Sequence, residues 1–476
     1  MKAIKYLFIA ALMTGFGTAA QAQDGTKADQ DAIKSLISSK PADYDKQVGN
    51  FLKKNKKNVE NLLFFGREFI SVKDTANAHK AAEAALAATK NKCAPAFILL
   101  GDIEAIGDNG GQAAAYYDQA IYADPKNPDA YYKYANVYRK ISPREAVAKL
   151  NELRQQRPDV AVDALAGRIY YMSNEFDKAL DAYEKADMNQ MEERDLSDYA
   201  MTAFFKQKYD KALQIAKFGL SKKPRHAAFN RLAFFNSTEL KKWDDALMYA
   251  DALFNKSDSA KFSYYDYTYY GNALSGANQP DKAIEMYELA LKQEDMDNKA
   301  KRAGVIKQLS EAYKNREDFP NAIKHYEDYL TNVEKATATD LAALAQLHIQ
   351  HANKNEDAEA KKAAFLRADK TYEDLEAKYE NAAEYATFMR ARVNSYMDPD
   401  QKLGLAKPFY EKLDVLIGSK PDKDNTDKVR LTESYRYLIS YYFVIQDDKE
   451  LAKEYAQKLI SIDPENAIAK QVLGME

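Results

Sequence analysis

The feature that most limits how this chain can fold is an alanine that returns at near-constant spacing. Aligned on segments such as "NEFDKALDAYEKA" at 174–186, it falls at Ala78, Ala113, Ala146, Ala179, Ala212, Ala246, Ala283, Ala322, Ala368, Ala406 and Ala452. The steps between them are 35, 33, 33, 33, 34, 37, 39, 46, 38 and 46 residues. At 476 residues the chain exceeds the usual size of one compact core, and a fixed period points to one unit stacked many times. Gly (17) and Pro (13) are scarce while charged residues make up 30%, a balance that suits long helices better than turn-rich sheets. An all-α fold is expected.

The residues around the alanine keep phase with it. Twelve positions earlier stands a small residue in Gly66, Gly101, Gly167, Ala200 and Gly271, and four positions later an aromatic in Tyr117, Tyr183, Tyr287, Tyr326, Tyr372 and Tyr410. Seven later comes Ala85, Ala120, Ala186 or Ala290, and twelve later Pro125, Pro224 or Pro464. With its period near 34 the pattern resembles the tetratricopeptide-repeat (TPR) family over almost the whole mature length, most clearly from about 59 to 330. The resemblance implies a right-handed superhelical solenoid of about ten to eleven helix-turn-helix repeats. Small residues let helix A and helix B approach, the aromatic fills the space beside them, and proline after helix B stops one helix and starts the next.

The first residues, "MKAIKYLFIAALMTGFGTAAQAQDG", read as an export signal: Lys2 and Lys5, an apolar run, then Ala20-Gln21-Ala22. Cleavage after Ala22 would start the mature chain at Gln23, with no cysteine there to carry a lipid. The organisation expected is a signal over 1–22, an N-terminal helical cap over 23–58, a regular array over 59–258, an irregular TPR-like array over 259–464 and a C-terminal capping helix over 465–476. A bend is expected near 255–265, without two independent cores. No later segment is apolar enough to cross a membrane. The single cysteine, Cys93, excludes an internal disulfide. The net charge of −3 has no strongly basic half, so nucleic acid is not an expected partner.

Catalytic motifs are missing from the sequence. His348 and His351 in "LHIQH" can share a helix face, but lack the HExxH spacing and a third ligand, so an ordinary polar face is preferred over a metal site. "GDNGG" at 107–111 reads as a turn between helices, having neither GxGxxG nor a P-loop lysine. "KKNKK" at 53–57 reads as a solvated helix end. No cofactor is predicted, and the chain is not expected to be an enzyme.

What remains is surface recognition. In the TPR family helix A lines a concave groove, and the matching positions here are Tyr132, Asn136, Arg139, Arg168, Tyr171, Arg194, Met201, Phe204, Arg231, Phe235, Tyr265 and Asn272. These types suit an extended peptide or partner helix, or they pack between neighbouring helices. The carboxylate clamp of chaperone-binding members is not reproduced: Tyr132 stands where the lysine before Asn136 would be, and Glu311 where an asparagine would follow Lys307. The expected function is a periplasmic, non-enzymatic scaffold for a protein or peptide partner in the envelope, similar to exported TPR proteins of Bacteroidota. The alternative is a glycan-binding or catalytic envelope protein using the irregular half, with the tyrosines of "SYYDYTYYGN" stacking on sugars.

Overall fold

A computed structural model describes residues 23–475 apart from 297. The export signal expected over 1–22, with Ala22 of its junction, lies outside the described residues, and Gln23 opens the first helix, Gln23–Ser39. The described residues form 25 α-helices with three short π-helical segments and no strand. Contacts divide them into two compact units, one ending at Gly219 and the other beginning at Leu220. The change in repeat spacing near 259 therefore falls inside the second unit.

Each recurrent alanine sits at a helix–helix contact. All eleven are 0% exposed, and ten of them lie within the second helix of a pair, as in Asp163–Met172 with Phe176–Tyr183. Ala406 instead caps the N-terminus of Lys407–Leu413. The pair Gln23–Ser39 and Tyr44–Lys54 precedes the first alanine, and Ala467–Leu473 follows the last. The small residues twelve positions earlier have a direct steric cause. A methyl group on Gly167 would lie 2.6 Å from Tyr183 Cδ1, and one on Gly101 or Gly271 would overlap Tyr117 or Tyr287 of the same repeat. Real carbon atoms do not approach so closely, so in these three repeats the helix B ring as it stands leaves room only for glycine opposite it in helix A. At Gly66 the space is taken by Leu99 of the next repeat, because position 82 is alanine. Ala186 departs from the pattern: Phe176–Tyr183 has only eight residues, and Ala186 lies past its end, half-buried.

A structure that composition does not suggest links helix A to helix B. Five positions before the alanine, Lys73, Asp108, Asn174, Gln207, Lys241, Asn278 and Glu317 all adopt the left-handed backbone, with φ between 55° and 61°. In each, the following amide reaches back five residues: Asp74 N–H donates to Phe69 O (2.9 Å) and Lys208 N–H to Ala203 O (2.8 Å). This closes helix A by a Schellman motif. The residue that closes helix A often also opens helix B. Asp74, Asn109 and Asp318 each accept a hydrogen bond from an amide in the next helix's first turn. "GDNGG" is one of these turns, between Ala94–Ile106 and Gly110–Ala123.

The wider spacings of the second unit have two sources. Helices lengthen, as in Ala338–Lys354 and Ala358–Lys378, and π-helical turns extend others at Ala252–Lys256, Asp414–Gly418 and Tyr441–Ile445. No described helix is long and apolar enough to cross a membrane.

Candidate protein-interaction site

The twelve expected groove residues lie on or at the end of five first helices: Pro128–Tyr138, Asp163–Met172 and Glu193–Phe205 in the first unit, Ala227–Glu239 and Tyr264–Gly276 in the second. Their surroundings sort them by what they can still do.

Four are committed to internal contacts. Arg168 donates from Nε and from a terminal nitrogen to the two oxygens of Asp195, both at 2.7 Å, and reaches Glu192 at 3.0 Å. Burial pulls its pKa down, but the two acids outweigh it and raise the value further above the usual arginine range. Arg231 repeats the arrangement, with Nε 2.5 Å from Asp266 and a terminal nitrogen 2.6 Å from the carbonyl of Lys261. Phe235 is buried and stacks on Tyr269 at 4.1 Å. Asn272 accepts the Tyr287 hydroxyl at 2.8 Å.

The remaining eight are wholly or partly accessible. Asn136 is exposed, as are Arg194 and Tyr265, the last at 52%. Arg194 rests on the edge of its neighbours, with a nitrogen 3.8 Å from Met172 Sδ and 3.7 Å separating it from Asp198. Tyr265 lies 4.1 Å from the Tyr264 ring. Tyr132, Arg139, Tyr171, Met201 and Phe204 are half-buried; Phe204 packs on Tyr209 at 5.8 Å and Tyr171 on Phe176 at 6.0 Å.

Sequence reasoning missed the acids that hold these arginines. Asp195, Asp266 and Asp340 stand in the first turn of successive or later first helices, with side chains 6%, 2% and 6% exposed, and pair with Arg168, Arg231 and Lys307 of the preceding first helix. The signal was present: Ser263 with Asp266, and Thr337 with Asp340, are capping boxes, in which the acid three residues on accepts the capping residue's own amide. A second missed residue is Asp198. Its carboxyl pKa is raised by burial, and one oxygen is buried without a hydrogen-bond donor.

His348 is buried, its pKa lowered to about 4 by burial and then by the nearby positive charges of Arg367 and His351. Among the described residues no three His, Cys, Asp or Glu side chains come together as a metal site. Cys93 is buried at the N-terminal end of Ala94–Ile106, with its thiol pKa raised by burial.

Paired helices stacked in phase define a helical-repeat solenoid. The tetratricopeptide-repeat family model matches residues 116–156, from within the helix Gly110–Ala123 to the end of Pro143–Gln156. Residues 116–156 thus match the tetratricopeptide repeat, a fold that generally mediates protein–protein interaction, and the same helix-pair phase is kept at the other alanines of the described residues. Among solved structures it is similar to the C-terminal part of a TPR repeat-containing protein from Cytophaga hutchinsonii, with 25% identity over 59% of this chain and 100% of that one and a TM-score of 0.45. It is also similar to a tetratricopeptide repeat protein from Parabacteroides merdae (18% identity, 53% and 98% covered, TM-score 0.34). A third is YrrB, a TPR protein with an unusual peptide-binding site (17% identity, 46% and 94% covered, TM-score 0.29). No curated protein matches the chain in sequence.

Proposed function

We propose that this protein is a non-enzymatic scaffold of the cell envelope, exported through residues 1–22 into the periplasm, which holds a protein or peptide partner on its first-helix face. The observation that carries this reading is the accessible set on three successive first helices of the first unit, Asn136, Tyr171, Arg194 and Met201. Aromatic and arginine side chains of this kind dominate binding energy where they become buried against a partner. The glycan alternative loses most of its support, because Tyr264 is buried and Tyr267 and Tyr270 pack against the core around Tyr287.

The test is site-specific photocrosslinking in cells. A crosslinker placed at Asn136 or Arg194 is expected to trap one discrete partner, and one placed at exposed Asp447, on a turn of the second unit, is not. Trapping of nothing, or of the same mixture from all three positions, would reject the scaffold. A mature protein whose mass does not correspond to a start at Gln23 would reject export by the expected signal.

A further inference from the structure

Asp195 and Asp266, the acids that hold Arg168 and Arg231, each stand seventeen positions before a recurrent alanine, Ala212 and Ala283. Asp129 stands at the same place before Ala146, in the first turn of Pro128–Tyr138. Its cation is missing. Arg168 lies eleven positions before Ala179, and at that place in the repeat ahead of Asp129, eleven before Ala113, the chain has Asp102. One more arginine keeps the place of Arg168: Arg67, eleven before Ala78, on Val59–Ser71. The position of its acid in the next first helix is taken by Ala96, which is fully buried. An anion and a cation are thus left without the internal partner that their counterparts have. Among the described residues no hydrogen bond or ion pair reaches the Asp129 carboxylate or the Arg67 guanidinium, and both residues are exposed.

The two stand on first helices of one unit, with Ala94–Ile106 between Val59–Ser71 and Pro128–Tyr138 and packed against both. Lys133 follows Asp129 by four residues on the same helix, but its ammonium is committed to both oxygens of Asp102, at 2.7 and 2.9 Å. Two carboxylates therefore share one lysine. The protein crowded around Asp129 raises its carboxyl pKa, Lys133 opposes that rise, Asp102 adds to it, and Arg67, two first helices away, is near enough to lower it. A carboxylate that is open to solvent and still crowded by protein lies on the wall of a hollow. Asp129, Lys133 and Asn136 fall at i, i+4 and i+7, so Asp129 shares a helix face with Asn136 of the accessible set.

We infer that this face of the first unit takes a segment of the partner protein that crosses these first helices and carries an acidic side chain for Arg67 and a basic one, Lys or Arg, for Asp129. The signs of the two charges select that ligand. A segment of one sign gains at one of them and is repelled at the other, and a small ion meets only one, whereas a segment with both charges gains at each. Protein around Asp129 weakens screening by water, so an incoming cation is attracted there more strongly than at an open surface. Both residues stand on packed helices, so little ordering cost falls on this side of the complex. The inference rests on the scaffold reading and names the chemistry of its partner.

The experiment is fluorescence anisotropy of three labelled octapeptides, alternating Glu–Lys, Glu–Ser and Lys–Ser, titrated with the full chain at low salt. The wild type is expected to bind the Glu–Lys peptide most tightly. Asp129→Asn should weaken binding of the Glu–Lys and Lys–Ser peptides about tenfold and leave Glu–Ser unchanged, and Arg67→Gln should weaken Glu–Lys and Glu–Ser and leave Lys–Ser unchanged. Asp422→Asn, at an exposed position of the second unit, should change none of them. This reciprocal pattern separates lost contacts from lost folding, since a misfolded variant would lose all three peptides together; Asp129→Ser and Arg67→Met serve if either first variant does so. No binding of the Glu–Lys peptide by the wild type, or the same change for every peptide in both variants, overturns the proposal. So does competition by free lysine or calcium as effective as that by unlabelled Glu–Lys peptide. If Arg67→Gln/Asp129→Asn leaves undiminished the yield of the partner trapped from Arg194, this proposal fails and the scaffold stands; if nothing is trapped from Asn136 or Arg194, the scaffold fails whatever the peptides do.

Discussion

Tyr117, Tyr183 and Tyr287 occupy the same place in three repeats, each ring filling the space left by a glycine, yet their hydroxyls meet three different fates. Tyr117 donates to Asp102 Oδ1 at 2.8 Å, and Asp102 is also held by Lys133 at 2.7 and 2.9 Å. Tyr287 donates to the neutral amide oxygen of Asn272 at 2.8 Å. Tyr183 has Arg168 after its glycine, where the other repeats have an acceptor, and its hydroxyl is buried with no hydrogen-bond partner. Substitution by phenylalanine keeps the ring and removes only the hydroxyl. At Tyr117 this loses a bond to a carboxylate that keeps its lysine, a cost of about 1.5 kcal/mol; at Tyr287 it loses a neutral bond, about 1 kcal/mol. At Tyr183 it removes a desolvated and unpaired group, a gain of about 1 kcal/mol. The expected order of stability is therefore Tyr183→Phe above wild type, then Tyr287→Phe, then Tyr117→Phe, with about 2.5 kcal/mol between the extremes. Urea denaturation followed by far-UV circular dichroism measures it, each midpoint being compared at constant slope. If Tyr183→Phe destabilises as much as Tyr117→Phe, the hydroxyl has an acceptor, Asp198 being the nearest candidate by its electrostatic effect on that phenol, and the reasoning is wrong.

Three other perturbations separate the parts of the structure. Gln207→Gly and Lys241→Gly, at left-handed turn positions with φ of 56° and 55°, are each expected to raise stability by about 0.5–1 kcal/mol, while alanine at the same places brings no gain; a loss with glycine in thermal melts would count against the turn geometry. Arg168→Ala is expected to cost about 3 kcal/mol because it strands the buried Asp195, whereas Arg194→Ala costs under about 0.5 kcal/mol and so suits binding assays; equal denaturation midpoints for the two would refute the assignment. His348 has a native pKa lowered to about 4 from 6.5, so the unfolded chain takes the proton first. The stabilising contribution is fully present above about pH 6.5 and is lost as pH falls towards 4, by at most about 3 kcal/mol. His348→Phe should flatten that part of the pH–stability profile, and a parallel profile would show that His348 is not responsible.

The repeat was legible because it is a local property. An alanine, a glycine and a tyrosine at fixed distances specify how one helix crosses the next within about thirty residues, and all eleven alanines are indeed fully buried. The left-handed turns were not legible, since Lys73, Gln207 and Lys241 carry no sign of φ > 0; the position is imposed by the two helices that must meet there. The candidate site was legible by position and not by availability. Arg168 and Arg194 look alike in sequence, but one faces an acid of the next first helix and the other faces solvent.

By itself, then, the sequence determined an all-helical stack and its phase, because backbone hydrogen bonding and close packing within a repeat depend on residues near one another in the chain. The tertiary structure decided which side chains remain for a partner: Asp195 lies 27 residues from Arg168 and Asp266 lies 35 from Arg231. Which charge meets which depends on how one repeat settles against the next, and so does the unpaired hydroxyl of Tyr183.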